Sequence, residues 1–229
     1  MHFAVAWPRL STRLNCLSIH VRKPAERSRD LASRRRHSIV FAAVLLLILA
    51  FAGCGQQPPA FKGSDVTSAP WGRELRLTDP DGRIRTLDEF HGKVVMVFFG
   101  FTYCPDVCPT ALSRAAEVRK RLGSDSAKVQ VIFVTVDPER DTPSLLREYT
   151  HAFDPTFLGL RGSDEEIRQA AAEFRVFYER VPTGSSYTMN HSALTYVFDT
   201  KGQLRLVMDH GQGADDFVAD IRTLLRQAS

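Results

Sequence analysis

Hydrophobic positions in this chain form short unbroken runs separated by amphipathic stretches, the pattern of a layered α/β domain. Residues 94–99 are six apolar side chains in a row, mostly β-branched or aromatic, between Gly92 and Gly100. Such a run reads as a central strand buried on both faces, and residues 129–136 predict a second one. Residues 109–122, lying between them, have helical spacing, so strand, helix and strand together imply a parallel βαβ unit. Three more helices are predicted over 143–153, 164–174 and 215–225. Two hairpins complete the pattern. One joins 74–77 to 83–86 through Asp79-Pro80-Asp81-Gly82, and the other joins 194–198 to Leu204–Met208 through Asp199-Thr200-Lys201-Gly202.

Helices covering a mixed sheet, with an N-terminal β-hairpin and a late antiparallel one, predict a thioredoxin-like α/β fold. A flavodoxin-like parallel sheet is the alternative, and the late hairpin argues against it. The folded domain is predicted over residues 71–229. Residues 54–70 are rich in Gly, Pro, Ser and Gln with little to bury, which reads as a flexible tether.

Charge changes the picture at the N-terminus. The first 53 residues carry nine Lys/Arg against Glu26 and Asp30, whereas the remainder has 21 basic and 24 acidic residues. An acidic domain offers no clustered cations for nucleic acid. Arg34-Arg35-Arg36 precedes an uncharged apolar run over 39–52. Fourteen residues fall short of the ~20 that span a bilayer but fit a signal-peptide core behind a positive flank. Phe51-Ala52-Gly53-Cys54 resembles a bacterial lipobox, with Phe51 where leucine is usual, and makes Cys54 the candidate lipidation site. Residues 1–53 are therefore read as a basic leader with a signal peptide or membrane anchor, and the domain is expected on the periplasmic or extracytoplasmic side. An uncleaved anchor and a buried core segment are the alternatives for the apolar run. Residues 1–30 show no periodicity and read as an overcalled start, which leaves Cys16 without a role.

The chemistry concentrates in Gly100-Phe101-Thr102-Tyr103-Cys104-Pro105-Asp106-Val107-Cys108-Pro109, directly after the first buried strand. Loops at the carboxyl ends of strands form the usual crevice of an open α/β sheet. Pro109 lacks a donor and suits the first helical position, with Cys108 as N-cap, so both sulfurs lie where the helix dipole favours thiolate. The pair fits a structural disulfide, a thiol-disulfide catalyst or two legs of a metal site. The three-residue gap is wider than the Cys-x-x-Cys of thioredoxin-type catalysts. Zinc would want a fourth ligand, whereas two thiolates and an imidazole suit copper in either oxidation state. His191 is the candidate third ligand, in the polar loop Met189-Asn190-His191-Ser192-Ala193. His91, His151 and His210 have no cysteine signal beside them. Asp137 ends the second buried strand and is a candidate to orient His191 or adjust the charge at the metal. Asp141 and Thr142 read as a loop and N-cap ahead of Pro143. Phe98, Phe99, Phe101 and Phe133 read as core, and Tyr103 as part of a docking face.

Three segments in order resemble the Sco/SenC copper chaperones of cytochrome c oxidase assembly. They are residues 100–110, Val134-Thr135-Val136-Asp137-Pro138-Glu139-Arg140-Asp141-Thr142-Pro143, and Asn190-His191-Ser192 leading into Thr195-Tyr196-Val197-Phe198-Asp199. The resemblance implies copper bound by Cys104, Cys108 and His191, an N-terminal anchor, and delivery to the binuclear copper centre of cytochrome c oxidase subunit II. A different reading is a thiol-disulfide reductase that keeps the recipient's cysteines reduced. Reductases of that kind place a cis-proline before the strand facing their cysteines, and residues 190–199 contain none. A peroxiredoxin-like peroxidase would need Thr three residues before its nucleophile, and neither cysteine has it.

Overall fold

The structure, a computed structural model, describes residues 60–227; the leader, the apolar run, Cys16 and Cys54 lie outside the described residues. Among the described residues no helix is long and apolar enough to cross a membrane.

The two apolar runs become the centre of the sheet. Strand β4 (Val94–Gly100) is buried at all seven positions and pairs in parallel with β5 (Val129–Thr135), from Val94 opposite Val129 to Gly100 opposite Thr135. Beyond β5 lies the short parallel strand β6 (Leu158–Leu160). On the other edge of β4 come β9 (Thr195–Phe198) and β10 (Leu204–Met208), both antiparallel to their neighbours, and then β1 (Ser64–Asp65). The order β1-β10-β9-β4-β5-β6 gives the mixed sheet of a thioredoxin-like fold. Hairpin β2–β3 (Arg76–Thr78, Ile84–Thr86) forms as predicted, but β1 precedes it, so it does not open the domain.

Alternation along β4 sends adjacent aromatics to opposite faces. Phe99 packs its ring 5.2 Å from Phe174 and 6.1 Å from Tyr196, whereas Phe98 lies 6.2 Å from Phe133 and 6.0 Å from His191. The Phe98 face therefore carries the site. Helices α1 (Val107–Leu122) and α4 (Ala214–Gln227) pack on each other. Helix α2 (Pro143–His151) is capped by Thr142, whose hydroxyl accepts from Leu145 N–H with Pro143 in the first turn, as read from the sequence. A capping box of Ser163 and Glu166 starts α3 (Asp164–Glu173).

Both predicted turns use one device. The Asp79 carboxylate accepts from the N–H groups of Asp81 and Arg83 and from Arg85, and Asp199 does the same for Lys201, Gln203 and Arg205. Each turn closes on a glycine at positive φ, Gly82 at 80° and Gly202 at 73°. Burial works to raise the Asp79 pKa, but these donors outweigh it and hold the carboxyl below its usual range.

Three further expectations are corrected. The 54–70 tether does not run to residue 70, because Phe61 and Val66 already pack on the core and the N–H groups of Lys62 and Gly63 donate to the buried Asp220 carboxylate. Helix α1 starts at Val107 with Asp106 as N-cap, so Cys108 is inside the first turn and Pro109 is its third residue, where a missing N–H is still tolerated. Residues 178–191 form a hairpin, β7 (Tyr178–Thr183) and β8 (Ser186–His191), so His191 ends a strand and is not in a loop.

Candidate metal centre

The site is built where β4 ends and α1 begins. Gly100 closes the strand with its carbonyl accepting from Val136 N–H at 2.8 Å, and the chain then turns through Phe101 to Cys104. Cys104 and Cys108 are both buried and both free. The Asp106 side chain makes no capping bond; instead Cys108 N–H, in the first helical turn, donates to Cys104 Sγ at 3.4 Å. A sulfur thus accepts where a capping oxygen normally would.

Electrostatics divide the pair. The Cys108 thiol donating to Cys104, working against burial, together with His191 and the N–H groups of Asp106 and Cys108, pushes Cys104 down to about 3. The same bond seen from Cys108, with burial, pushes the Cys108 thiol far up. Cys104 is the thiolate and Cys108 keeps the proton.

His191 closes the triangle. Its Nδ1 lies 3.0 Å from the Ser192 carbonyl oxygen, which can only accept, so Nδ1 carries a hydrogen and Nε2 is the nitrogen facing the sulfurs. Nε2 is 3.4 Å from Cys108 Sγ, and the edges of Phe98 and Phe101 hold the ring at 6.0 and 5.8 Å between centroids. The two sulfurs and one nitrogen of Cys104, Cys108 and His191 all lie within 4.8 Å of one another. Two soft sulfurs and an imidazole nitrogen, with no fourth ligand residue grouped with them among the described residues, fit copper better than a closed zinc site. The place before β9 is filled by His191–Leu194 with no proline, and among the described residues no peptide bond is cis.

Gly100 is required by close approach. A Cβ there would lie 2.7 Å from Cys108 Sγ and 2.8 Å from Phe133, both too near to be accommodated without movement. Gly100→Ala is expected to destabilise the domain by about 1–3 kcal/mol and to weaken metal binding, checked by denaturant unfolding alongside metal titration.

Of the remaining candidates, Asp137 is buried but makes no hydrogen bond to His191; its carboxylate accepts from Arg140 and from Tyr187 OH. Asp141 is not merely loop. It is fully buried and takes Thr102 N–H at 3.1 Å, Thr102 OH at 2.6 Å and Thr135 OH at 2.5 Å, tying the cysteine loop to β5. Sequence reasoning missed Asp141 and Thr102 because they are 39 residues apart; the signal available was an acidic residue just beyond a buried strand. His91 meets Lys201 O and His210 meets Arg114, away from the three ligands. Phe98, Phe99, Phe101 and Phe133 are core as predicted, and Tyr103 is 59% exposed beside Cys104.

Known proteins resemble this chain over the same domain. The SCO1/SenC family model matches residues 64–226. The SCO2-like protein of Rickettsia felis is 38% identical over 135 residues, a match covering 58% of this chain and 66% of that protein, just under two thirds of its length. The mitochondrial SCO2 homolog of Mus musculus is 31% identical over 237 residues, covering 95% of this chain and 92% of its own. Among solved structures, Bradyrhizobium japonicum ScoI with copper bound is 39% identical with a TM-score of 0.62, covering 68% of this chain and 99% of that one. Apo Sco1 of Thermus thermophilus is 40% identical with a TM-score of 0.65, covering 72% and 97%. Cys104, Cys108 and His191 all fall inside the matched residues 64–226, and the chain belongs to the SCO1/SenC family.

Proposed function

We propose that this chain is a membrane-anchored copper chaperone that binds one copper through Cys104, Cys108 and His191 and delivers it to the binuclear copper centre of cytochrome c oxidase subunit II. The observation carrying this is the preformed triangle, with all three donor atoms within 4.8 Å of one another. Family membership and the copper-bound ScoI structures of Bradyrhizobium japonicum and Arabidopsis thaliana support it. Residues 1–53, with Cys54 as the lipidation site or the apolar run as an uncleaved anchor, hold the domain on the periplasmic face in this reading.

Copper is cargo here. The Cys104 thiolate offers the first donor, the Cys108 thiol loses its proton to solvent as it binds, and His191 Nε2 completes the set. Release to a recipient reverses these steps by exchange of one ligand at a time. The test is copper stoichiometry on the reduced domain from residue 56 onward, followed by incubation with the metal-free soluble domain of subunit II. One copper per chain that moves to the recipient is expected; a chain that holds no copper sinks the reading.

The split pair also favours a second reading, a thiol-disulfide reductase. The Cys104 thiolate would attack one sulfur of a recipient disulfide, forming a mixed disulfide and releasing the other sulfur as thiolate. Cys108 would then lose its proton and displace the second sulfur, leaving two reduced thiols on the recipient and a Cys104–Cys108 disulfide. Recipient disulfide reduced with no copper moved would favour it.

A further inference from the structure

We propose that Arg140 is the positioning residue that holds His191 against the two cysteines, a reading that rests on the three-ligand site above. Among the described residues, hairpin β7–β8, which ends in His191, pairs only with itself and joins no other strand of the sheet. Most of β7 is exposed. At its base the ribbon is tied where Ser192 N–H donates to Phe177 O at 2.9 Å and Phe177 N–H to Ser192 Oγ at 3.0 Å.

Further along, Met189 is buried in the core, Arg180 pairs with Glu139 at the surface, and Arg140 grips β8 beside the site. The guanidinium donates from Nη1 to Tyr187 O at 2.8 Å on β8 and stacks with Cζ 3.7 Å from the centre of the Tyr187 ring. Its Nε pairs with the Asp137 carboxylate, which is 1% exposed, and Asp137 in turn accepts from Tyr187 OH at 2.9 Å. The same guanidinium lies 4.9 Å from the Tyr103 ring and 6.0 Å from the Phe101 ring, the residues flanking the turn into Cys104. Phe101 itself packs edge-on to His191. One side chain therefore touches the strand that carries the imidazole and the loop that carries the thiolate, and it is braced from below by a buried carboxylate. Metal–ligand distances must hold to within about 0.2 Å, which a ribbon outside the main sheet does not guarantee without a brace at the site itself. This also gives Asp137 its role, through Arg140 and Tyr187. A lysine would supply charge without the planar fork or the stack.

The experiment measures Cu(II) affinity by chelator competition for wild type, Arg140→Met, Arg140→Lys and Tyr187→Phe, each also in a His191→Ala background. Amide hydrogen exchange of residues 187–192 is followed in the same metal-free proteins. Arg140→Met is expected to weaken binding about 10- to 100-fold, the scale for losing a partner that orients a ligand, with faster exchange across 187–192. Arg140→Lys should recover little of this. Tyr187→Phe, which removes one hydrogen bond and keeps the ring, should lose about 2- to 10-fold and serves if Arg140→Met fails to fold. In the His191→Ala background both losses should vanish, because a residue acting only through the imidazole has nothing left to position. Equal losses with and without His191, full rescue by lysine, or unchanged exchange would each overturn the inference. Failure of wild type itself to bind copper would instead sink the three-ligand site.

Discussion

Alanine at Cys104 or Cys108 is expected to lower Cu(I) affinity by roughly 100- to 1,000-fold. Tetrahedral thiolate and imidazole sites bind zinc with about 10–16 kcal/mol shared among four ligands, so one ligand carries about 2.5–4 kcal/mol. Cu(I) is soft and prefers sulfur, so His191→Ala should cost it less than either cysteine change, whereas Cu(II), which favours nitrogen, should lose comparably from all three. The protonation of the pair adds a pH signature. Cys104 is pushed down to about 3 and is already ionised near neutrality, but Cys108 is pushed up and must release its proton to bind. Affinity should therefore rise about tenfold per pH unit on the alkaline side of neutrality, and this slope should disappear in Cys108→Ala. Chelator competition at several pH values measures both. Cu(II) affinity indifferent to His191→Ala would remove the imidazole from the ligand set.

What the sequence makes legible follows from how locally each feature is encoded. Strands β4 and β5 announce themselves because a strand buried on both faces needs consecutive apolar residues, and both have them. The two Asp-x-x-Gly turns are equally local, since the carboxylate bonds within six residues of itself. Hairpin β7–β8 is hidden for the opposite reason. Its β7 strand is exposed along most of its length, so no alternation marks it, and the two-residue Gly184-Ser185 turn, with Gly184 at φ 59°, is the one signal. His191 consequently reads as a loop residue until the strand is seen. Strand β6 escapes because three residues are too few to show a period. The first turn of α1 misleads because Pro109 is accepted at any early helical position, and Cys108 then sits one step further in. Cys104 and Cys108 declare themselves by spacing, but the residues that set their surroundings, Thr102 with Asp141 and Arg140 with Tyr187, meet over 39 and 47 positions and leave no mark in either segment alone.

Removing the Asp141 carboxylate altogether, by Asp141→Ala, is expected to destabilise the domain by about 2–4 kcal/mol, because the Thr102 N–H and the Thr102 and Thr135 hydroxyls lose a buried acceptor. Asp141→Asn should behave differently and expose the charge. Burial raises the Asp141 pKa above the usual 3.8, and the bonds from Thr102 and Thr135 only partly offset it. A carboxyl whose folded pKa is raised contributes stability that is complete below about pH 4 and is lost as pH rises through the folded value. Asparagine keeps one acceptor oxygen and carries no charge, so the variant should gain on wild type as pH is raised from about 4 towards neutrality. Urea unfolding of both proteins across that range measures the difference, and a variant that loses ground to wild type as pH rises would refute the sign. The charge also bears on the site, since ionised Asp141 is one of the groups keeping Cys108 protonated. In the asparagine variant, Cys108 should give up its proton more readily, and the steep pH dependence of copper affinity should shift to lower pH. Titration of the two proteins side by side then links a buried carboxylate with no reach to the metal to the readiness of the second thiol to bind it.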